Sequence, residues 1–193
     1  MNLILASASP RRAALLRDAG YTFVVEPARV DEDAHLGTRP PPDLAKFLAN
    51  LKADEVAARF PDAVTLAADT VVALGDVSLG KPSDDREARD MIRLLRGRTH
   101  DVYTGVALRH PATGVAMSDV DRSTVRMHAL TDDEVELYVA SMRWAGKAGG
   151  YGIQDPDPIV ICEAGIVTNV IGLPMELTER LLTSAGVRPS PVR

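Results

Sequence analysis

Two arginines stand where a helix disfavours them. Ser9 and Pro10 mark a helix start, Ser9 as the cap and Pro10 at the first helical position, and Arg11 and Arg12 fill the opening turn. The helix dipole already presents positive charge there, so each guanidinium costs about 0.3–1 kcal/mol unless it points into water or meets an anion. Ser7 and Ser9 lead into the same turn. Hydroxyls, free backbone N–H groups and two guanidinium forks can therefore converge on one anion, ideally a phosphate chain. The glycine spacing of a Walker loop is missing. Asp69 is the second oddity, placed between the apolar runs VTLAA and VVAL, where an ionised carboxylate is costly without partners. At a strand end it could hold a divalent metal or take a proton from a water attacking phosphorus. The plain alternative is a turn or cap residue.

The remaining candidates are weaker one by one. Glu32, within the acidic run Asp31-Glu32-Asp33, is the natural second metal ligand or else a solvated loop carboxylate. Lys52, inside a helix, and Lys81, before a proline, read singly as surface lysines. His100 and Cys162 find no partner by spacing and read as structural. Trp144 is followed by AGKAGGYGIQ, a glycine-rich passage in which the backbone can approach a ligand closely or simply flex.

The elements that must position these groups alternate between strand and helix. A buried strand, Leu3 to Ala6, precedes the first helix, which Gly20 ends, and Tyr21 to Val25 reads as a second strand. Glu26 to Pro42 is a long polar loop, and loops of that length usually have a job. Asp43 can cap a helix running to about Arg59, with Leu44, Phe47, Leu48 and Leu51 at helical spacing. Val64 to Ala68 reads as a buried strand ending at ADT, and Val71 to Leu74 with Val77 to Leu79 as a hairpin about Gly75-Asp76. A helix over 84–96 stops at Gly97. Long strands at 102–109 and 115–127 flank a turn, and Thr131 with Glu134 forms a capping box for a helix to about Met142. Strands and a final helix follow the glycine-rich passage. Without repeat or linker, the alternation predicts a single α/β unit with mixed strand directions.

Bulk properties set the limits. A length of 193 residues with 46% apolar content suits one domain with a real core. The balance of 22 Lys plus Arg against 27 Asp plus Glu, a net charge of -5, predicts no general attraction to nucleic acid or anionic membrane, so any bound phosphate must meet local positive charge. One cysteine permits no internal disulfide, and the first residues lack the order of a signal peptide, so a cytoplasmic setting is expected.

Taken together, LILASASPRR at 3–12, VDED at 30–33, AADTVV at 67–72, GKP at 80–82, GRTHDVYTGV at 97–106 and AGKAGGYGIQ at 145–154 resemble the Maf family, in the family's order, with a weaker echo in NVIGLP at 169–174. The resemblance implies a single domain over 1–193, an α/β fold of two lobes around a deep cleft with a mixed sheet, similar to inosine triphosphate pyrophosphatase. It implies a nucleoside triphosphate pyrophosphatase that cuts between the α- and β-phosphates with Mg²⁺ or Mn²⁺, and a homodimer. By position it places the catalytic or metal-binding aspartate on Asp69, the acidic loop ligand on Glu32, and phosphate-binding groups on Ser9, Arg12, Lys52 and Lys81. Positions that separate base preferences fall on Arg11, Thr70 and Gln154, in a combination that looks like the dTTP/UTP branch. The alternatives are the same chemistry on 7-methyl-GTP or another nucleotide, or a non-catalytic nucleotide-binding regulator of septum formation. After Gln154, Asp155-Pro156-Asp157-Pro158 replaces a more common glycine-containing turn.

Overall fold

The computed structural model describes residues 2–190. Strand β1 (Leu3–Leu5) leads into helix α1 (Pro10–Asp18), whose N-cap is Ser9, and a two-residue strand β2 (Val24–Val25) lies parallel to β1. Helix α2 (Pro41–Arg59) follows the acidic loop, then β3 (Val64–Leu74), β4 (Val77–Leu79) and helix α3 (Asp85–Leu95). The long hairpin of β5 (Thr99–His110) and β6 (Val115–Met127) precedes helix α4 (Asp132–Ala140), strand β7 (Val160–Ala164), a short helix α5 (Val167–Ile171) and helix α6 (Met175–Ser184). The seven strands make one sheet in the order β2-β1-β3-β5-β6-β7, with β4 added to β3. β1 is parallel to both β2 and β3 and every other pairing is antiparallel, so the expected α/β fold with a mixed sheet is what forms.

The decisive departure from the sequence reading lies in β3. No break occurs at ADT: one strand of 11 residues runs through it, so Asp69 stands in the middle of a central strand and not at a strand end. What ends there is the neighbour. β1 pairs with β3 only at Val64, Thr65 and Leu66, then turns away toward α1, whereas β4 covers β3 from Val72 onward. On its other side β3 stays paired with β5 from Thr65 to Ala73. The edge of β3 between residues 66 and 72 is thus open in the middle of a sheet, and that gap is where a ligand can reach the backbone of Asp69 and Thr70.

Two smaller shifts follow similar logic. Helix α2 begins at Pro41, two residues before Asp43, because the tandem prolines suit the first turn, where no N–H is needed; Asp43 then lies inside that turn and does not cap it. The second strand shrinks to Val24–Val25, since β1 offers only Ile4 and Leu5 as partners, while Tyr21 is buried in the core.

Packing explains why α2 can serve the site. Leu44, Leu48 and Val56 share a buried stripe with Lys52, at spacings of four, so the lysine's aliphatic stem lies on the apolar face and its ammonium is carried into the protein. The helix comes down onto the sheet at Gly105 of β5, where a Cβ would run into the backbone of Ala45 and Lys46. On the opposite face α1 and α6 cover Leu3, Leu5, Leu66, Ala68, Val106 and Leu108. A separate cluster joins α3, α4, Trp144 and Tyr151 to the far half of the sheet through Val72, Val102, Val125 and Met127.

Candidate active site

Side chains alternate along a strand, so Asp69 and Thr70 point to opposite faces of β3. The gap between β1 and β4 lets both reach one cavity of about 450 Å³, within the ordinary range for a ligand site. Every sequence-assigned residue lines it: Ser9, Arg11, Arg12, Glu32, Lys52, Asp69, Thr70, Lys81 and Gln154.

On the α2 face the charges form a chain. Lys52 Nζ lies 2.5 Å from Asp69 Oδ1 and 2.7 Å from Glu32 Oε1, and Lys81 Nζ lies 2.7 Å from Glu32 Oε2. Lys52 and Asp69 are 5% and 4% exposed, which makes the pairing obligatory for both: either charge left alone there would carry a large desolvation cost. Burial pushes the Asp69 carboxyl above its ordinary range, against the pull of Lys52 and Arg12. Burial raises Glu32 as well, but Lys52 and Lys81 more than offset it and hold that carboxyl at about 2. Asp69 Oδ2 makes no hydrogen bond among the described residues, so one carboxylate oxygen remains for a water.

On the α1 face Arg12 is built in rather than loose. Its Nε donates to the Gly172 carbonyl at 2.7 Å, Nη1 to Ser7 Oγ at 3.3 Å and Nη2 to Thr70 Oγ1 at 3.0 Å. Burial lowers its pKa, with Asp69 and then Glu32 opposing. Ser9 Oγ accepts from the Arg12 backbone N–H as the helix cap. Arg11 leaves α1 sideways and donates from Nη2 to the Gly146 carbonyl at 3.0 Å, tying the helix start to the glycine-rich segment. Gln154 is exposed at the cavity wall and makes no hydrogen bond among the described residues.

Three sets of contacts escaped the sequence reading. Lys147 lines the cavity and binds both oxygens of Asp155 at 2.5 Å, a clamp that closes around Gly152, where a Cβ would meet both partners. The lysine stood in AGKAGGYGIQ, but nothing local joined it to the aspartate eight residues on. His100, read as partnerless, bonds through Nε2 to Tyr151 Oη at 2.6 Å, and Tyr151 lines the cavity. Thr104 and Asn169 lie behind Thr70 and are fully buried. Cys162 donates its thiol to the Ala164 carbonyl and does not line the cavity.

Lys147 is taken up by Asp155, and the other four lining cations (Arg11, Arg12, Lys52 and Lys81) face two carboxylates (Glu32 and Asp69), giving the cavity a positive balance inside a chain of net charge -5. That is the local positive charge a phosphate chain needs. The two carboxylates also converge within bonding distance of one ammonium, so a hard cation at the mouth of Glu32 and Asp69 would find oxygen ligands from both. No group of three or more His, Cys, Asp or Glu side chains gathers among the described residues. The donor set therefore fits an ion that completes its shell with phosphate oxygens and water, the usual habit of Mg²⁺.

The chain is similar to known proteins over nearly its whole length. The family model described as Maf-like protein matches residues 2–185. The dTTP/UTP pyrophosphatase of Syntrophus aciditrophicus is 45% identical over 185 residues, covering 95% of this chain and 90% of that one. The dTTP/UTP pyrophosphatase of Thermomicrobium roseum is 47% identical, covering 96% of this chain and 85% of that one. Among solved structures, the Staphylococcus aureus Ham1 protein superposes with a TM-score of 0.49 at 13% identity, over 96% of this chain and 99% of that one.

Proposed function

This chain belongs to the Maf family, and on that premise we propose that it is a pyrophosphatase converting dTTP and UTP to the monophosphates with release of pyrophosphate. The observation that carries the reading is the run Lys81–Glu32–Lys52–Asp69 opening on the same cavity as Arg12: paired carboxylates beside a surplus of cations, where a triphosphate and its counter-ion would sit. Arg12, Lys52 and Lys81 draw charge from the β- and γ-phosphates, with Ser9 at the helix start. Asp69 Oδ2 orients a water and takes its proton as the water oxygen bonds to the α-phosphorus; the bond from that phosphorus to the bridging oxygen breaks, and pyrophosphate leaves with the electron pair. Glu32 and Asp69 would hold Mg²⁺ or Mn²⁺, which supplies charge neutralisation on the phosphate oxygens.

Base preference would rest on Arg11 and Gln154. A glutamine amide carries both donor and acceptor and can pair with the imide edge shared by uracil and thymine, whereas cytosine offers a different pattern. Arg11 acts by holding the segment that bears Gln154, while Thr70 is bound to Arg12. No helix among the described residues is long and apolar enough to cross a membrane. We place the enzyme in the cytoplasm as a homodimer of single two-lobed domains. The test is pyrophosphate release across UTP, dTTP, CTP, GTP and 7-methyl-GTP, with and without Mg²⁺. Release from UTP and dTTP only when Mg²⁺ is present supports the reading; 7-methyl-GTP as the best substrate would overturn the base assignment, and no release from any nucleotide would overturn the activity.

A further inference from the structure

The hydrogen bonds behind Arg12 form a line whose direction is fixed at both ends. Arg12 Nη2 can only donate, and it reaches Thr70 Oγ1 at 3.0 Å. Thr70 Oγ1 lies 3.0 Å from Thr104 Oγ1, directly across the β3–β5 ladder, and Thr104 Oγ1 donates to the Asn169 backbone carbonyl at 3.0 Å. A carbonyl oxygen only accepts, so the single proton of Thr104 is spent on Asn169. Thr70 must then give its own proton to Thr104. The polarity runs Arg12 to Thr70 to Thr104 to Asn169, and no hydroxyl along it has a proton to spare. The far end is locked too: Asn169 Nδ2 donates to the Val102 carbonyl and to Ser123 Oγ, each at 3.0 Å, inside a fully buried setting. Gly172, three residues on, supplies the carbonyl that holds Arg12 Nε.

We infer that Thr70 and Thr104 are positioning residues for Arg12, so that Thr70 acts on the phosphates and not on the base. Three considerations support this. Thr70 faces the α1 side of the sheet, and with its proton committed it cannot donate to a carbonyl of uracil or thymine. Of the five N–H groups of Arg12, three are taken by Gly172, Ser7 and Thr70, which leaves two for a ligand and sets the plane in which they point. Thr104 is fully buried and does not line the cavity, so it has no route to a nucleotide except through Thr70 and Arg12.

This inference rests on the cavity binding a triphosphate, and its test separates the two. Tripolyphosphate, which has no base, is titrated calorimetrically into the wild type, Thr70→Val, Thr70→Ser and Thr104→Val, and kcat/KM is measured in each for UTP, dTTP and CTP. In parallel the water exchange of the Arg12 Nε–H and Nη–H signals is followed by NMR. Loss of one bond orienting a charged donor is expected to weaken tripolyphosphate about tenfold in both valine variants. The ratio of UTP to CTP turnover stays unchanged, Thr70→Ser restores binding, and Arg12 exchange accelerates in both valine variants. Should Thr104→Val fail to fold, Thr70→Val against Thr70→Ser decides the same point. A Thr70→Val enzyme with normal tripolyphosphate affinity and an altered UTP to CTP ratio would overturn the inference, as would a folded Thr104→Val enzyme with unchanged affinity and exchange. Tripolyphosphate binding without release of pyrophosphate from any nucleotide would remove the proposed activity while leaving the positioning role to be judged by these affinities.

Discussion

The floor of the cleft and its outer wall are built on different principles. At the floor, Glu32, Lys52, Asp69 and Arg12 are held by one another and by a central strand, and each is placed by packing that began far from the site: the stripe of α2, the bare Cα of Gly105, the early end of β1. At the wall, Gln154 is exposed and makes no hydrogen bond among the described residues, although the backbone around it is held by Arg11 to Gly146, the Gly149 N–H to Gly80, Tyr138 to Gly150, Arg143 to Pro156 and Lys147 to Asp155. A buried charge without its partner is costly by several kcal/mol, whereas an exposed glutamine can move at almost no cost. Phosphate chemistry is thus tied to the stability of the fold. On the proposed reading, base choice would rest on a single exposed side chain, Gln154, which can change without disturbing the core.

The sharpest way to break that contrast is Asp69→Asn. The amide keeps the shape at the floor, and Lys52 keeps Glu32 as its counter-ion, but the amide cannot take a proton and is a poor ligand for a hard cation, so turnover should fall by about 10³ or more while the folded state persists. Pyrophosphate release and a thermal melt check both halves. Turnover within a few-fold of wild type would mean that the floor does not carry the chemistry.

The same contrast explains what could be read from the sequence. The start of α1, with Ser9 as cap, the Gly75-Asp76 hairpin, the Asp84 start of α3 and the Thr131–Glu134 capping box all form where local signals place them, because each is settled within four residues. The residues lining the cavity were in large part legible as a family pattern. Their geometry was not. Asp69-Thr70 looked like a break because an aspartate is costly in the middle of a buried strand, and the groups that make it tolerable, Lys52 and Arg12, lie 17 and 57 positions away. Thr104, Asn169 and Asp155 carry no local signal at all: hydroxyls and amides of their kind are common, and only the register of β3 on β5 and the closing of the glycine-rich segment give them partners.

At the wall, Gln154→Glu tests whether base choice can be changed alone. The carboxylate keeps acceptors but loses the donor, so a pyrimidine carbonyl goes unpaired while the phosphate groups are untouched. The preference for UTP over CTP should fall by about tenfold, an effect near that of one well-placed hydrogen bond. Tripolyphosphate affinity should hardly move. A loss of turnover shared equally by all nucleotides would join the wall to the floor and dissolve the distinction.

The smallest expected effect is on stability, and its sign is specific to the floor. Glu32 is held at about 2 in the folded chain against an ordinary 4.5, so its ionised form is favoured by folding. For a carboxyl depressed in this way the contribution is complete above the unfolded value and is lost as pH falls through the folded one, placing the window between about 4.5 and 2. Solvent at this part-open position reduces the contribution to about 1–2 kcal/mol. Asp69 runs the other way: its carboxyl is raised, so the protonated form is the one folding favours, and that contribution is lost as pH rises above the ordinary aspartate range. Glu32→Gln should therefore be less stable than the wild type at neutral pH in the metal-free protein, and the two should converge on acidification toward pH 2. Gln154→Glu, at an exposed site, should follow the wild-type curve. Urea midpoints for the three proteins across this range decide it: parallel curves for wild type and Glu32→Gln would mean that the Lys52–Glu32–Lys81 run is an exposed surface arrangement, and that floor and wall are held with equal looseness.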